Sequence, residues 1–67
     1  METTNATIER IVNHGSIIET LARTEDGRLV RTHWDQRMFA HAWEGGLRPG
    51  SEVLLHETDD GTSVELL

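Results

Sequence analysis

The sequence predicts an all-β fold: a small five-stranded β-barrel with one short helix between the third and fourth strands. Three observations support this prediction. Apolar and β-branched residues alternate with polar residues over five short runs, which is the period of half-buried strands. Turn residues that favour hairpins, Asp26-Gly27 and Asp59–Gly61, join neighbouring runs. The stretch Gln36–Glu44 instead has apolar residues four apart, which indicates a helix.

The length and composition predict one domain. The chain has 67 residues, the size at which a single core is marginal, and it has no cysteine to supply a disulfide or a thiolate metal site. We expect residues 1–5 to form a flexible N-terminal tail and residues 6–67 to form the domain. Apolar runs are too short for a membrane span of about 20 residues, and the polar start lacks the pattern of a secretory signal. We therefore expect a cytoplasmic protein.

The first half of the chain predicts three strands, over Thr7–Val12, Ser16–Leu21 and Arg28–Trp34. The second of them is apolar at both odd and even positions. That pattern predicts either a strand covered on both sides at one end or a bulge that switches its faces. The third strand alternates, so Trp34 belongs to one face and Arg31 to the other.

The second half predicts the helix and two further strands. Asp35 has the side chain of a helix N-cap, and Gly45-Gly46 ends the helix. A proline–glycine turn, Pro49-Gly50, then leads into the fourth strand. The predicted strands are Ser51–Thr58 and Thr62–Leu67. Their predicted inward residues are Val53, Leu55, Val64 and Leu66.

The order of strands and helix is that of the oligonucleotide-binding (OB) barrel, with an SH3-like barrel as the alternative. Three stretches resemble bacterial translation initiation factor one, a minimal OB barrel. They are Glu25–His33, similar to the family's acidic–glycine hairpin and following strand, the helical stretch around Met38, and Leu47–Glu57, which resembles its turn into an alternating fourth strand. The resemblance runs from about Thr7 to the C-terminus. It implies an OB fold that binds RNA or the ribosome.

The charge of the chain departs from the basic and aromatic RNA contacts of that family. Twelve acidic residues against six arginines, with no lysine, give a net charge of −6, whereas nucleic-acid binders usually carry a basic surface. Residues 1–37 hold six acids and five arginines, while residues 38–67 hold six acids and one arginine. The sequence therefore predicts two faces, one acidic and one nearly neutral that carries the arginines.

No residue pattern predicts catalysis. No two histidines have the four-residue spacing of a metal-ligand pair on the helix. The serines lie in turns or at strand ends without a nucleophile elbow, and no glycine-rich loop is placed to cradle a phosphate. We expect a non-enzymatic protein without a metal or another cofactor. The histidines are His14, His33, His41 and His56.

An arginine and aromatic cluster around the third strand predicts nucleic-acid binding. OB barrels bind their ligands on the second and third strands, and arginines and aromatic rings contact phosphates and bases. The candidate residues are Arg28, Arg31, His33, Trp34 and Arg37, with Arg23 beside them. The expected partner is single-stranded RNA or the ribosome. Alternatively, Trp34 belongs to the core and Arg31 pairs with Glu19.

The alternative function is an interaction with a basic protein, as in a small regulator or inhibitor. An acidic surface repels nucleic acid and attracts a basic partner. An exposed tryptophan on the helix would anchor such a partner, because tryptophan is frequent among interface hot spots. The candidate residues are Trp43, Glu57, Asp59 and Asp60.

Overall fold

Five antiparallel strands curl into a half-barrel with one short helix in the computed structural model, which describes residues 2–67. The elements are β1 (Glu2–Asn13), β2 (Ile17–Thr24), β3 (Leu29–Asp35), α1 (Gln36–Glu44), β4 (Glu52–Thr58) and β5 (Gly61–Leu66). The order in the sheet is β3-β2-β1-β4-β5. The predicted fold class, a small OB-like β-barrel with its helix between β3 and β4, is confirmed.

The central strand, β1, begins earlier than the sequence predicts. Residues 2–7 pair with β4, from Glu2 opposite Glu57 to Thr7 opposite Glu52. The prediction of a flexible tail over residues 1–5 is therefore wrong for residues 2–5, and Met1 lies outside the described residues. The tail was expected because the first residues of a domain are usually poorly ordered. Residues 2–5 instead pair with β4 through their backbone, and side chains at a solvated strand end remain polar.

A bulge lies in β1 and not in β2, for which the sequence predicted either a bulge or cover on both sides at one end. Ile8 pairs with Ala22 and Arg10 pairs with Leu21, so Glu9 is the extra residue. The bulge turns Arg10 to the outer face of the sheet, opposite the outward Leu21. The odd-numbered apolar residues of β2, Ile17 and Leu21, lie on the outer face, and Ile17 is 40% exposed.

The core lies between the inner faces of the strands. Val53 and Leu55 are fully buried, as their alternation predicts, while Val64 and Leu66 are half-buried and pack against them. Leu47, which the sequence places in a turn, is also fully buried. The buried cluster consists of Ala6, Ile8, Ala22, Leu47, Val53 and Leu55.

The helix α1 has the predicted ends. Asp35 is the N-cap, and its Oδ1 accepts a hydrogen bond from the Met38 backbone N–H at 2.8 Å. At the other end, Gly46 has a φ of 110°, and the Leu47 N–H donates to the Ala42 carbonyl at 3.0 Å. This Schellman turn directs Leu47 from the helix end into the core. Within residues 2–67, no helix is long and apolar enough to cross a bilayer.

Ile8→Val tests the packing at the bulge. Ile8 is 1% exposed, so removing one methylene group should lower the free energy of unfolding by about 0.5–1.5 kcal/mol. Ile17→Val is the matched control, since it removes the same group from the outer face and should change stability by less than about 0.5 kcal/mol. Urea unfolding followed by circular dichroism measures both values. Equal losses in the two variants would contradict the inward position of Ile8.

Candidate functional site

The predicted nucleic-acid-binding residues lie on different surfaces. Arg31 and His33 are exposed on the outer face of β3. Trp34 faces inward: its indole Nε1 donates a hydrogen bond to Thr20 Oγ1 at 3.0 Å, and its ring packs edge-on against Phe39. Trp34 is thus part of the core, as the alternative interpretation proposed, and does not share a surface with Arg31.

The outer face of β1, β2 and β3 carries three of the six arginines, Arg10, Arg23 and Arg31, and we call it the arginine face. Across the three strands, Arg10, Leu21 and Arg31 form one row. The next row consists of Val12, Glu19 and His33. Arg10 was not among the predicted residues, because only the bulge at Glu9 brings it to this face. The sequence offers no local sign of that bulge.

Carboxylates neutralise two arginines of the arginine face. Arg23 binds both oxygens of Glu9, at 2.8 and 3.3 Å. This hydrogen bond, with the charge of Arg23, lowers the pKa of Glu9 below its ordinary value and outweighs the opposing desolvation. Arg31 Nε lies 2.9 Å from Glu19 Oε2, which is the cross-strand pair that the alternative interpretation predicted.

Two histidines approach the same carboxylate. His33 Nε2 lies 3.2 Å from Glu19 Oε2, and His14 Nε2 lies 3.6 Å from Glu19 Oε1. The Glu19 side chain is only 13% exposed, while the histidine side chains are more than half exposed. We call Glu19, Arg31, His33 and His14 the Glu19 cluster.

Arg28 lies away from the arginine face and bridges the β2–β3 turn and the end of β4. Its guanidinium contacts Asp26 in the β2–β3 turn at 3.2 Å and Glu57 at the end of β4 at 3.3 Å. The hydrogen bond to Glu57, followed by that to Asp26, raises the pKa of Arg28. The Thr24 hydroxyl, and to a lesser extent Arg28, lower the pKa of Asp26. Arg28 therefore pairs with one of the acids predicted to bind a protein, Glu57.

The other predicted residues are exposed at separate positions. Arg37 lies in the first turn of α1. Asp59 and Asp60 form the exposed turn between β4 and β5. Of the five residues predicted to bind nucleic acid, the structure brings only Arg31 and His33 together.

A shallow, widely open apolar concavity lies on α1. It is lined by Phe39, Ala40, Trp43 and Glu44, and we call these four residues the helix patch. Trp43 is 42% exposed, and its ring centre lies 5.9 Å from that of Phe39. The patch includes one of the residues predicted to bind a protein, Trp43, and lies at the opposite end of β5 from Asp59 and Asp60.

Arg48 covers one face of the Trp43 ring. Its guanidinium carbon lies 3.4 Å from the centre of the indole ring. The Arg48 Nη1 also donates hydrogen bonds to the carbonyls of Trp43 and Leu47, at 2.7 and 2.8 Å. These bonds position the guanidinium over the indole ring, which packs against it although solvent reaches the rest of the side chain.

Among residues 2–67, no group of three or more histidine, cysteine, aspartate or glutamate side chains is arranged to hold a metal ion. No family model, curated protein or solved structure matches the chain. The resemblance to translation initiation factor one therefore remains a prediction from the sequence.

Proposed function

We propose that this chain is a non-enzymatic protein-binding module that docks its partner on the helix patch. The observation that carries the proposal is the exposed indole of Trp43, stacked beneath Arg48 and beside Phe39. Tryptophan and arginine dominate the binding energy of protein interfaces when they are well packed. A residue that is already ordered before binding also loses less conformational entropy in the complex.

The aromatic residues favour the helix patch over the arginine face. Trp34 supplies no stacking surface for bases, because its indole lies inward and is hydrogen-bonded to Thr20. Trp43 is the more exposed of the two tryptophans. The concavity beside it is lined mainly by apolar groups, so it suits an aliphatic or aromatic side chain rather than a phosphate.

The charge of the chain favours a basic partner. Residues 38–67, which include the helix patch, hold six acids and one arginine, and that arginine is Arg48. Glu44 lies at the concavity itself. We infer that the partner presents an apolar side chain flanked by lysine or arginine, since Glu44 offers a carboxylate at the patch and the net charge of −6 on the whole protein attracts such a segment and speeds its association.

Peptide display against the folded protein tests this proposal. We expect selected peptides to combine an aromatic or large aliphatic residue with flanking basic residues. Trp43→Ala should weaken their binding by about 30-fold or more, which corresponds to the loss of a hot-spot residue worth about 2 kcal/mol. Fluorescence anisotropy of the labelled peptides measures the affinities.

Leu29→Ala is the matched control for Trp43→Ala. Leu29 is 48% exposed, similar to Trp43, but lies on the outer face of β3. Its removal should leave the peptide affinities within about twofold of the wild-type values. Selected peptides that bind Trp43→Ala as tightly as the wild-type protein would show that the helix patch is not the docking surface.

A second candidate function is the binding of single-stranded nucleic acid on the arginine face. The observation that favours it is the row of Arg10, Leu21 and Arg31, which places two guanidinium groups on either side of an apolar residue on the surface that OB barrels use for their ligands. No carboxylate lies within ion-pair distance of Arg10 among residues 2–67.

Replacing the two arginines of this row tests the second candidate. Arg10→Gln with Arg31→Gln should weaken the binding of a labelled 15-nucleotide single-stranded RNA by about tenfold or more and should reduce the salt dependence of binding. Arg28→Gln with Arg37→Gln removes the same charge from outside the arginine face and should have a smaller effect. Anisotropy titrations at two salt concentrations measure both. The absence of any binding by the wild-type protein at low salt would exclude this candidate.

A further inference from the structure

We propose that the Glu19 cluster is an anion-binding site that gains affinity when its two histidines are protonated, so that the arginine face binds phosphodiester chains more tightly in mild acid. This inference rests on the second candidate function. It adds that the binding is tighter in mild acid. The experiment below distinguishes a protein that binds nucleic acid without this pH dependence from a protein that does not bind nucleic acid.

The geometry places the cations of the cluster outside its carboxylate. The Glu19 side chain is 13% exposed, whereas those of Arg31, His33 and His14 are 63%, 58% and 52% exposed. All three cationic groups lie within 3.6 Å of the Glu19 oxygens. An anion that approaches from solvent therefore meets guanidinium and imidazole groups before it meets the carboxylate.

The histidines change the charge around the Glu19 cluster. In the rows that hold the cluster and in the row beside them, β1 contributes Arg10, β2 contributes Glu19, and β3 contributes Arg31 and Asp35. The two arginines and two carboxylates cancel, so this part of the arginine face is neutral while the imidazoles are neutral. Protonation of His33 and His14 gives it a charge of about +2, which attracts a phosphodiester chain.

The far end of the arginine face carries an excess of carboxylates. There Arg23 lies with Glu9, Glu25 and Glu52 around one concave surface. The charge added by the two histidines is therefore local to the Glu19 cluster.

The helix adds no compensating charge at the cluster. α1 packs against β2 and β3, and the neutral side-chain amide of Gln36 donates a hydrogen bond to the Gly15 carbonyl in the turn that holds His14. α1 also carries Arg37, His41 and Glu44, and within residues 2–67 none of them forms an ion pair with the cluster.

Histidine is the side-chain type that changes charge between pH 5 and 8, while carboxylates change charge near pH 4 and arginine stays charged throughout. A comparison of pH 5.5 with pH 8.0 therefore changes the charge of the histidines and of the α-amino group, and the α-amino group is common to all the variants compared. Protonation of His41 and His56, which lie elsewhere on the surface, also changes the total charge. Replacing these two histidines is the control for that change, because neither belongs to the Glu19 cluster. His56, for example, pairs with Glu65 at 2.7 Å on β4 and β5.

The experiment measures the affinity for a 15-nucleotide oligothymidine, carrying a dye whose fluorescence is independent of pH, at both pH values and at low constant salt. We expect wild-type binding to be at least about fivefold tighter at pH 5.5, as two added positive charges predict. His14→Gln with His33→Gln should remove most of this difference. His41→Gln with His56→Gln loses the same number of titrating groups and should retain it. Circular dichroism at both pH values confirms that each variant is folded.

Three outcomes would overturn the inference. Equal loss of the pH dependence in the two double variants would assign it to the total charge of the protein and not to the Glu19 cluster. Wild-type binding of the same strength at both pH values would exclude the protonation site while leaving nucleic-acid binding in place. No wild-type binding at either pH would exclude both the site and the second candidate function.

Discussion

The structure depends on β1, because this one strand holds the two halves of the sheet together. Its first half pairs with β4 and its second half with β2. Where the two halves of β1 meet, the Ile8 N–H donates to the Ser51 carbonyl at 2.8 Å, and the Gly50 N–H donates to the Ile8 carbonyl at 2.7 Å. The chain can turn at Gly50 because glycine accepts its φ of 95°. Beyond these bonds the bulge at Glu9 begins, and the sheet bends into a half-barrel.

The bulge also determines which side chains share a surface. It brings Arg10 level with Arg31 on the outer face, whereas Trp34 remains on the inner face with the core. Arg23 and Arg31 reach this outer face together with the carboxylates that neutralise them. A surface made of paired charges attracts a polyanion weakly at neutral pH, while the aromatic surface of α1 needs no net positive charge to bind a partner.

Local rules predicted the parts of the fold that depend on neighbouring residues. The cap at Asp35, the helix end and the inward faces of β4 follow from residue type and period alone. The sequence could not predict features that depend on distant pairing or on the direction in which a turn leads the chain. Arg10 reaches the arginine face only through a bulge, Leu47 enters the core only through the turn after α1, and Arg28 contacts Glu57 from 29 positions away. Candidate site residues chosen by proximity along the chain were therefore distributed over several surfaces.

The central claim is that the accessible aromatic side chain lies on α1 and that Trp34 belongs to the core. Acrylamide quenching of the two single-tryptophan variants, Trp34→Phe and Trp43→Phe, tests it directly. We expect Trp43, observed in the first variant, to be readily quenched yet to show high fluorescence anisotropy, because Arg48 holds its ring. We expect Trp34, observed in the second, to be protected. Stronger quenching of Trp34 than of Trp43 in the folded variants would contradict this claim. It would show that the accessible tryptophan lies on β3.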